Sequence, residues 1–232
     1  MLKNKKILAL IPARGGSKRI QRKNVKDLAG KPLIAYMIGA ALKSKYLPRV
    51  IVTTENKEIA EIAKRQGVEI IKRPKRLATD KAKSIDVVLH ALNVLEIKGY
   101  KPDIVVWLQP TSPLTTHKDI DKAIEICIKN RYQSVCSVCE AEPSPYWCLK
   151  LEKKHLRPFL GKKYLITQGQ DLPKIYLHNG AIFISTPKTI KKYKNFYASK
   201  ILPYIMPKEK SVDVNEPIDF LLAGLLLKKN NR

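Results

Sequence analysis

The chain has 232 residues, 44% of them hydrophobic, with 45 lysines and arginines against 20 acidic residues and a formal net charge of +25. This is ample apolar material for one large domain, yet no stretch approaches the roughly 20 apolar residues that a bilayer-spanning helix needs. The basic residues are spread along the whole chain rather than gathered in a stripe, and aromatics make up only 7%, so nucleic acid is set aside as a partner.

The start, MLKNKKILALIPARGG, superficially suggests a signal peptide. Its apolar run, Ile7 to Ile11, is short and no small-residue cleavage site follows, so it reads as a first strand in a cytoplasmic protein. Proline then opens a helix over Pro32–Lys43. Val50–Thr53 is a second strand, Lys57–Gln66 a helix and Val68–Ile71 a short strand. Ser84–Ile97 is a helix that places Val87, Val88, Ala91, Leu92 and Leu95 on one face. Asp103–Leu108 reads as a buried strand, Lys118–Lys129 as a helix and Ser134–Cys139 as a strand. This alternation predicts a Rossmann-like α/β fold, a mostly parallel sheet flanked by helices with its site at the carboxyl ends of the strands.

The pattern breaks after about residue 139. The turn Glu142–Trp147 leads into two hairpin-like pieces, Trp147–Leu151 and His155–Leu160, before a strand at Ala181–Ile184 and a last helix over Glu216–Lys229. The expectation is a single domain over 1–232 with an inserted β lobe at about 140–200 that serves dimerisation. Four cysteines, Cys127, Cys136, Cys139 and Cys148, include one Cys-x-x-Cys pair. A strand sends positions three apart to opposite faces and no second pair exists, so all four read as small buried hydrophobes.

Chemistry concentrates after the first strand. Between Ala13 and Lys26 lie adjacent glycines, Gly15 and Gly16, with Ser17 and five basic residues including Arg14, Lys18 and Lys23. Glycines let backbone N–H groups approach a phosphate, arginine offers a planar fork and lysine a point charge, which suits a triphosphate. Neither the Walker spacing nor the dinucleotide fingerprint Gly-x-Gly-x-x-Gly is present.

Further segments belong with this loop: Arg73-Pro-Lys-Arg-Leu-Ala-Thr-Asp80 ahead of Ser84, Leu108-Gln-Pro-Thr-Ser-Pro113, His178-Asn-Gly-Ala-Ile-Phe183, and Ser211-Val-Asp-Val-Asn215. Together, and over essentially the whole length, the chain resembles the acylneuraminate cytidylyltransferases, the CMP-sialic acid synthetases and relatives acting on other nonulosonic acids. The resemblance implies transfer of CMP from CTP to a nine-carbon acidic sugar, with pyrophosphate released, Mg²⁺ required and a homodimer as the working form.

It also implies roles residue by residue. Arg14, Gly15, Gly16, Ser17, Lys18, Lys23 and Asn24 form the nucleotide loop, and Arg73 and Ser84 contact the base and ribose. Gln109, Thr111 and Asn179 lie on the sugar side, and Asp213 with Asn215 holds the metal. Arg14, Lys23 and Asp213 are the residues expected to carry catalysis. Read from the residues alone, Ser84 is equally placed to cap its helix, Asn179-Gly180 to form a hairpin turn and Asp213 to face solvent. His178 is a candidate for the wall of the sugar pocket.

The chain departs from the family's pattern at three places. The metal motif reads Asp213-Val214-Asn215 in place of Asp-x-Asp, Gly169 replaces an arginine before Gln-Asp-Leu-Pro, and Leu114-Thr115 lacks an arginine that often follows Gln-Pro-Thr-Ser-Pro-Leu. A shorter acidic sugar such as Kdo, or a catalytically silent binding relative, are the alternative readings.

Overall fold

A computed structural model describes residues 5–131, 134–197 and 200–230. The chain forms β1 (Ile7–Pro12), the two-residue strands β2 (Asp27–Leu28) and β3 (Lys31–Pro32), and α1 (Leu33–Leu42). It continues with β4 (Arg49–Thr54), α2 (Lys57–Arg65), β5 (Glu69–Lys72), α3 (Ser84–Ile97), β6 (Ile104–Leu108) and α4 (His117–Lys129). Then come β7 (Ser134–Glu140), β8 (Leu149–Glu152), β9 (His155–Pro158), α5 (Lys162–Leu165), β10 (Tyr176–Ser185), α6 (Pro187–Tyr193), β11 (Ile201–Ile205) and α7 (Pro217–Asn230).

Seven strands make one sheet in the order β11-β7-β10-β6-β1-β4-β5. Only β10 runs against its neighbours β6 and β7, and the remaining pairs are parallel. The expected α/β class is therefore found. The continuous apolar run of β1 has a physical cause: Ile7, Ala9 and Ile11 face a core built with α1, α2 and α4, whereas Leu8 and Leu10 face α3 and α6. A strand covered on both faces has no polar side to alternate with. Each such fully buried isoleucine or leucine stabilises the fold by about 1.5–3 kcal/mol relative to exposure.

Because β1 pairs with β4 on one side and β6 on the other, successive connections leave it in opposite directions. The loops after β1 and β6 consequently part at its carboxyl end and leave a crevice. There the third cluster, Ile20, Leu28, Leu33, Leu114, Val214, Ala223 and Leu227, packs α7 beside the loop after β1.

Several local expectations change. Pro32 lies in β3 and flanks α1 instead of opening it. β8 and β9 form their own two-stranded sheet, whereas β10, also within 140–200, belongs to the central one. Cys127 and Cys136 are buried, with burial pushing the thiols up to about 12 and about 11, but Cys139 is half-buried and Cys148 exposed. Among the described residues no helix is long and apolar enough to cross a membrane.

Candidate active site

The crevice holds a cavity of about 480 Å³ floored by Pro12 and Trp107. Of the residues singled out in the sequence, Arg14, Ser17, Lys18, Lys23, Asn24, Arg73, Ser84, Gln109, Thr111 and Asn215 all line it. Arg19, Asp80 and Val87, to which the sequence gives no site role, line it as well.

The loop after β1 is held in shape from within. The Asn24 side chain, buried at 8% exposure, donates to the Arg14 carbonyl oxygen at 2.9 Å, and Arg22 takes a left-handed backbone (φ 54°) to turn the chain. Lys23 donates through Nζ to the Val214 carbonyl at 2.7 Å. Burial pushes the Lys23 ammonium below its ordinary pKa, Asp213 pulls it back, and Arg19 and Arg14 add to the depression.

Gly15 acts differently from expectation. The Gly15 N–H donates to Glu55 Oε1 at 2.7 Å, so this amide is already engaged by a carboxylate. A Cβ on Gly15 would lie 2.5 Å from Asn56 Nδ2 and 3.0 Å from its Cγ. Glycine is thus required here by the side chain that caps α2, since Asn56 Oδ1 accepts from Ile59 N at 3.0 Å. A Cβ on Gly16 would meet nothing within 4 Å. The sequence marks Glu55 as an acidic residue directly after the Val-Thr-Thr end of a strand but gives it no role in the loop.

Arg73 is 5% exposed, and its NH2 group donates to the Thr53 carbonyl at 2.7 Å. Its Nε has no partner, and burial pushes its pKa down while Glu55 opposes the shift. Ser84 is the first residue of α3; the position before it, Lys83, is extended and no side chain caps the helix there. Ser84 is part of the cavity wall instead. The Thr111 hydroxyl is buried without a partner, and the Thr111 carbonyl accepts from Val214 N at 2.7 Å.

A second cleft of about 210 Å³ shares Ser84, Trp107 and Gln109 with the first and adds Phe183, Asn195, Phe196 and Tyr197. Phe196 stands 6.1 Å, centroid to centroid, from both Trp107 and Phe183, and Phe183 6.3 Å from Tyr197. This aromatic wall was not foreseen, because Phe196 and Tyr197 lie in a loop far along the chain from Trp107.

Asp213 is locked beside Lys23 by the Val214 contacts. Its Oδ2 accepts from Asn215 Nδ2 at 2.6 Å, while its Oδ1 is buried with no partner. The Asn215 oxygen faces Arg19, which donates to it at 3.3 Å, so the amide turns its nitrogen, not its oxygen, toward the carboxylate. Among the described residues no cluster of three acidic, histidine or cysteine side chains could hold a metal. The unpartnered Oδ1 is an acceptor of the kind a hard divalent cation takes.

Asn179 is placed away from the cavity wall. It is 4% exposed and lies inside β10, where the register shifts between His178 and Phe183, not in a hairpin turn. Its Oδ1 accepts from Ser137 Oγ at 2.6 Å and its Nδ2 donates to Ser211 Oγ at 2.9 Å. The amide therefore ties β7 and β10 to the segment carrying Asp213. Gly180 beside it (φ 76°) approaches closely, its would-be Cβ 3.6 Å from the Asp213 carboxylate. His178 is exposed and lines neither cleft. At Gly169 a Cβ would lie 3.0 Å from the Trp147 ring, so a side chain there requires the indole to shift by a few tenths of an ångström.

The chain matches the family described as cytidylyltransferase over residues 8–143. It is 37% identical over 228 residues to N-acylneuraminate cytidylyltransferase of Escherichia coli, covering 98% of this chain and 53% of that protein. It is 37% identical to CMP-N,N'-diacetyllegionaminic acid synthase of Legionella pneumophila, covering 97% of each. Pseudaminic acid cytidylyltransferase of Campylobacter jejuni is 32% identical over 97% of this chain and 98% of its own length. The chain thus spans about half of the first relative and nearly all of the other two. Among solved structures, CMP:2-keto-3-deoxy-manno-octonic acid synthetase complexed with CTP superposes with a TM-score of 0.70 at 16% identity, covering 97% of this chain and 99% of that one, a likeness of fold. The chain belongs to the cytidylyltransferase family of nucleotidyltransferases.

Proposed function

We propose that the protein joins a nonulosonic acid of the sialic type to CMP, using CTP and releasing pyrophosphate. The observation that carries this reading is one cavity bearing five cations, Arg14, Lys18, Arg19, Lys23 and Arg73, which continues into an aromatic cleft through Ser84 and Gln109. The cationic part suits a triphosphate and the aromatic part the carbon face and N-acyl groups of a long acidic sugar.

In the reaction the anomeric oxygen bonds to the α-phosphorus while the bond to pyrophosphate breaks; the electron pair leaves with pyrophosphate and the hydroxyl proton goes to solvent. Such a displacement depends on positioning and charge neutralisation more than on covalent catalysis. Arg14 and Lys18 hold the leaving phosphates, and Lys23 stands nearer the α-phosphate. Arg73 and Ser84 face the base and ribose, and Gln109 with Thr111 orients the sugar. Asp213 would hold Mg²⁺, which when bound neutralises phosphate charge. No histidine lines the cavity among the described residues, so no imidazole serves as base.

The working form in this reading is a cytoplasmic homodimer. Leu151 (67% exposed), Leu156 (63%), Phe159 (63%) and Ile166 (89%) present apolar surface on and around the β8–β9 sheet that a second copy would cover. Sedimentation should give a dimer at micromolar concentration, and a monomer would contradict the assignment.

The reaction is tested by pyrophosphate release with CTP, Mg²⁺ and a panel of sialic, legionaminic and pseudaminic acids beside Kdo. Turnover with at least one nine-carbon acid is expected. Release with Kdo alone moves the assignment to the shorter sugar, and none at all leaves a binding relative.

A further inference from the structure

Asp80 is the one acidic side chain among the described residues lining the cationic cavity, and the proposed reaction gives it no role. Its two carboxylate oxygens are shared: Arg14 reaches one at 2.8 Å and Lys18 the other at 2.7 Å. These are two of the cations to which the phosphates have been assigned. Asp80 lies on the loop between β5 and α3, pinned by buried Leu77, with Arg73 at one end and Ser84 at the other. The carboxylate itself is 45% exposed, so it can leave without opening the core. Lys18 and then Arg14 hold its carboxyl below the usual range, which keeps it charged at neutral pH.

Resting on the cytidylyltransferase reading, we propose that Asp80 is a tethered stand-in for the polyphosphate, which holds Arg14 and Lys18 together in the empty site and must be displaced by substrate. Without it, the guanidinium and the ammonium would repel one another across the cavity. A triphosphate or pyrophosphate brings several negative charges and displaces the single carboxylate. A CMP-sugar, with one phosphodiester charge, does not. Asp80 therefore weakens the hold on polyphosphates specifically and returns to its two partners as pyrophosphate departs. Exposed ion pairs are individually weak, so the effect is a modest tuning of affinity, not a block.

The test is calorimetric titration of wild type, Asp80→Asn and Asp80→Glu with inorganic pyrophosphate, CTP and CMP, Mg²⁺ present throughout. Asp80→Asn should bind pyrophosphate and CTP about threefold to tenfold more tightly and CMP unchanged. Asp80→Glu, which keeps the charge, should stay near wild type. The gain should shrink as salt rises, because solvent-exposed charges are screened. Unchanged or weaker pyrophosphate binding by Asp80→Asn overturns the proposal, as does equal tightening toward CMP. Should wild type bind neither CTP nor pyrophosphate, the cytidylyltransferase reading and the Asp80 proposal fall together. If wild type binds both and Asp80→Asn gains nothing, Asp80 alone is refuted.

Discussion

Lys23→Met will lower kcat by about 10²- to 10³-fold and change CTP affinity far less. Methionine keeps the buried stem and removes only the charge, so the packing around the half-buried side chain survives. The ammonium is already partly desolvated: burial depresses its pKa, and it donates a hydrogen bond to the Val214 carbonyl. A charge held in place beforehand, with little water to reorganise, favours the state in which negative charge moves from the α-phosphorus toward the leaving group. Arg14, Lys18 and Arg73 remain to bind the ground-state nucleotide. Single-turnover rates at saturating CTP are the measurement. A rise in KM with kcat intact would move Lys23 into ground-state binding.

Asp213→Asn will lower turnover by about 10³-fold and weaken Mn²⁺ binding in the presence of CTP by more than tenfold. The replacement has nearly the same shape and keeps a partner for Asn215, so the loss reports charge. Asp213 Oδ1 is buried without a donor, an arrangement costly for a carboxylate unless a cation completes it. Asn215 cannot take over, because its oxygen faces Arg19. Paramagnetic titration with Mn²⁺ reads the metal directly, independent of turnover. Undiminished Mn²⁺ affinity would remove Asp213 from the metal site.

Much of the architecture was legible because its causes are local. The apolar run of β1 and the one-sided face of α3 repeat at the periods of a strand and a helix, and α3 was located at its observed bounds. β11 is not legible from the sequence because Pro203 interrupts it, a residue a sheet tolerates at an edge, and β11 is an edge strand. α6 is not legible either, because it is only seven residues long; its local marks are the Thr186 cap and Pro187.

At the site, residue types at strand ends pointed to one crevice, but not to what each group touches. Asn179 was assigned to a ligand and is instead consumed by Ser137 and Ser211, 42 and 32 residues away. Gly15 was assigned to phosphate, yet its amide is held by Glu55 and its missing Cβ makes room for Asn56.

The order of residues alone determined that this chain folds as layered α/β and concentrates cations after its first strand, because periodicity and loop chemistry are written within a few residues. Tertiary structure decided that β10 runs backward, that four distant aromatics meet beside Gln109, and that Asp80 stands between Arg14 and Lys18. Those outcomes depend on ångström-scale distances between segments far apart in the chain, set by packing of the whole core and by no local preference.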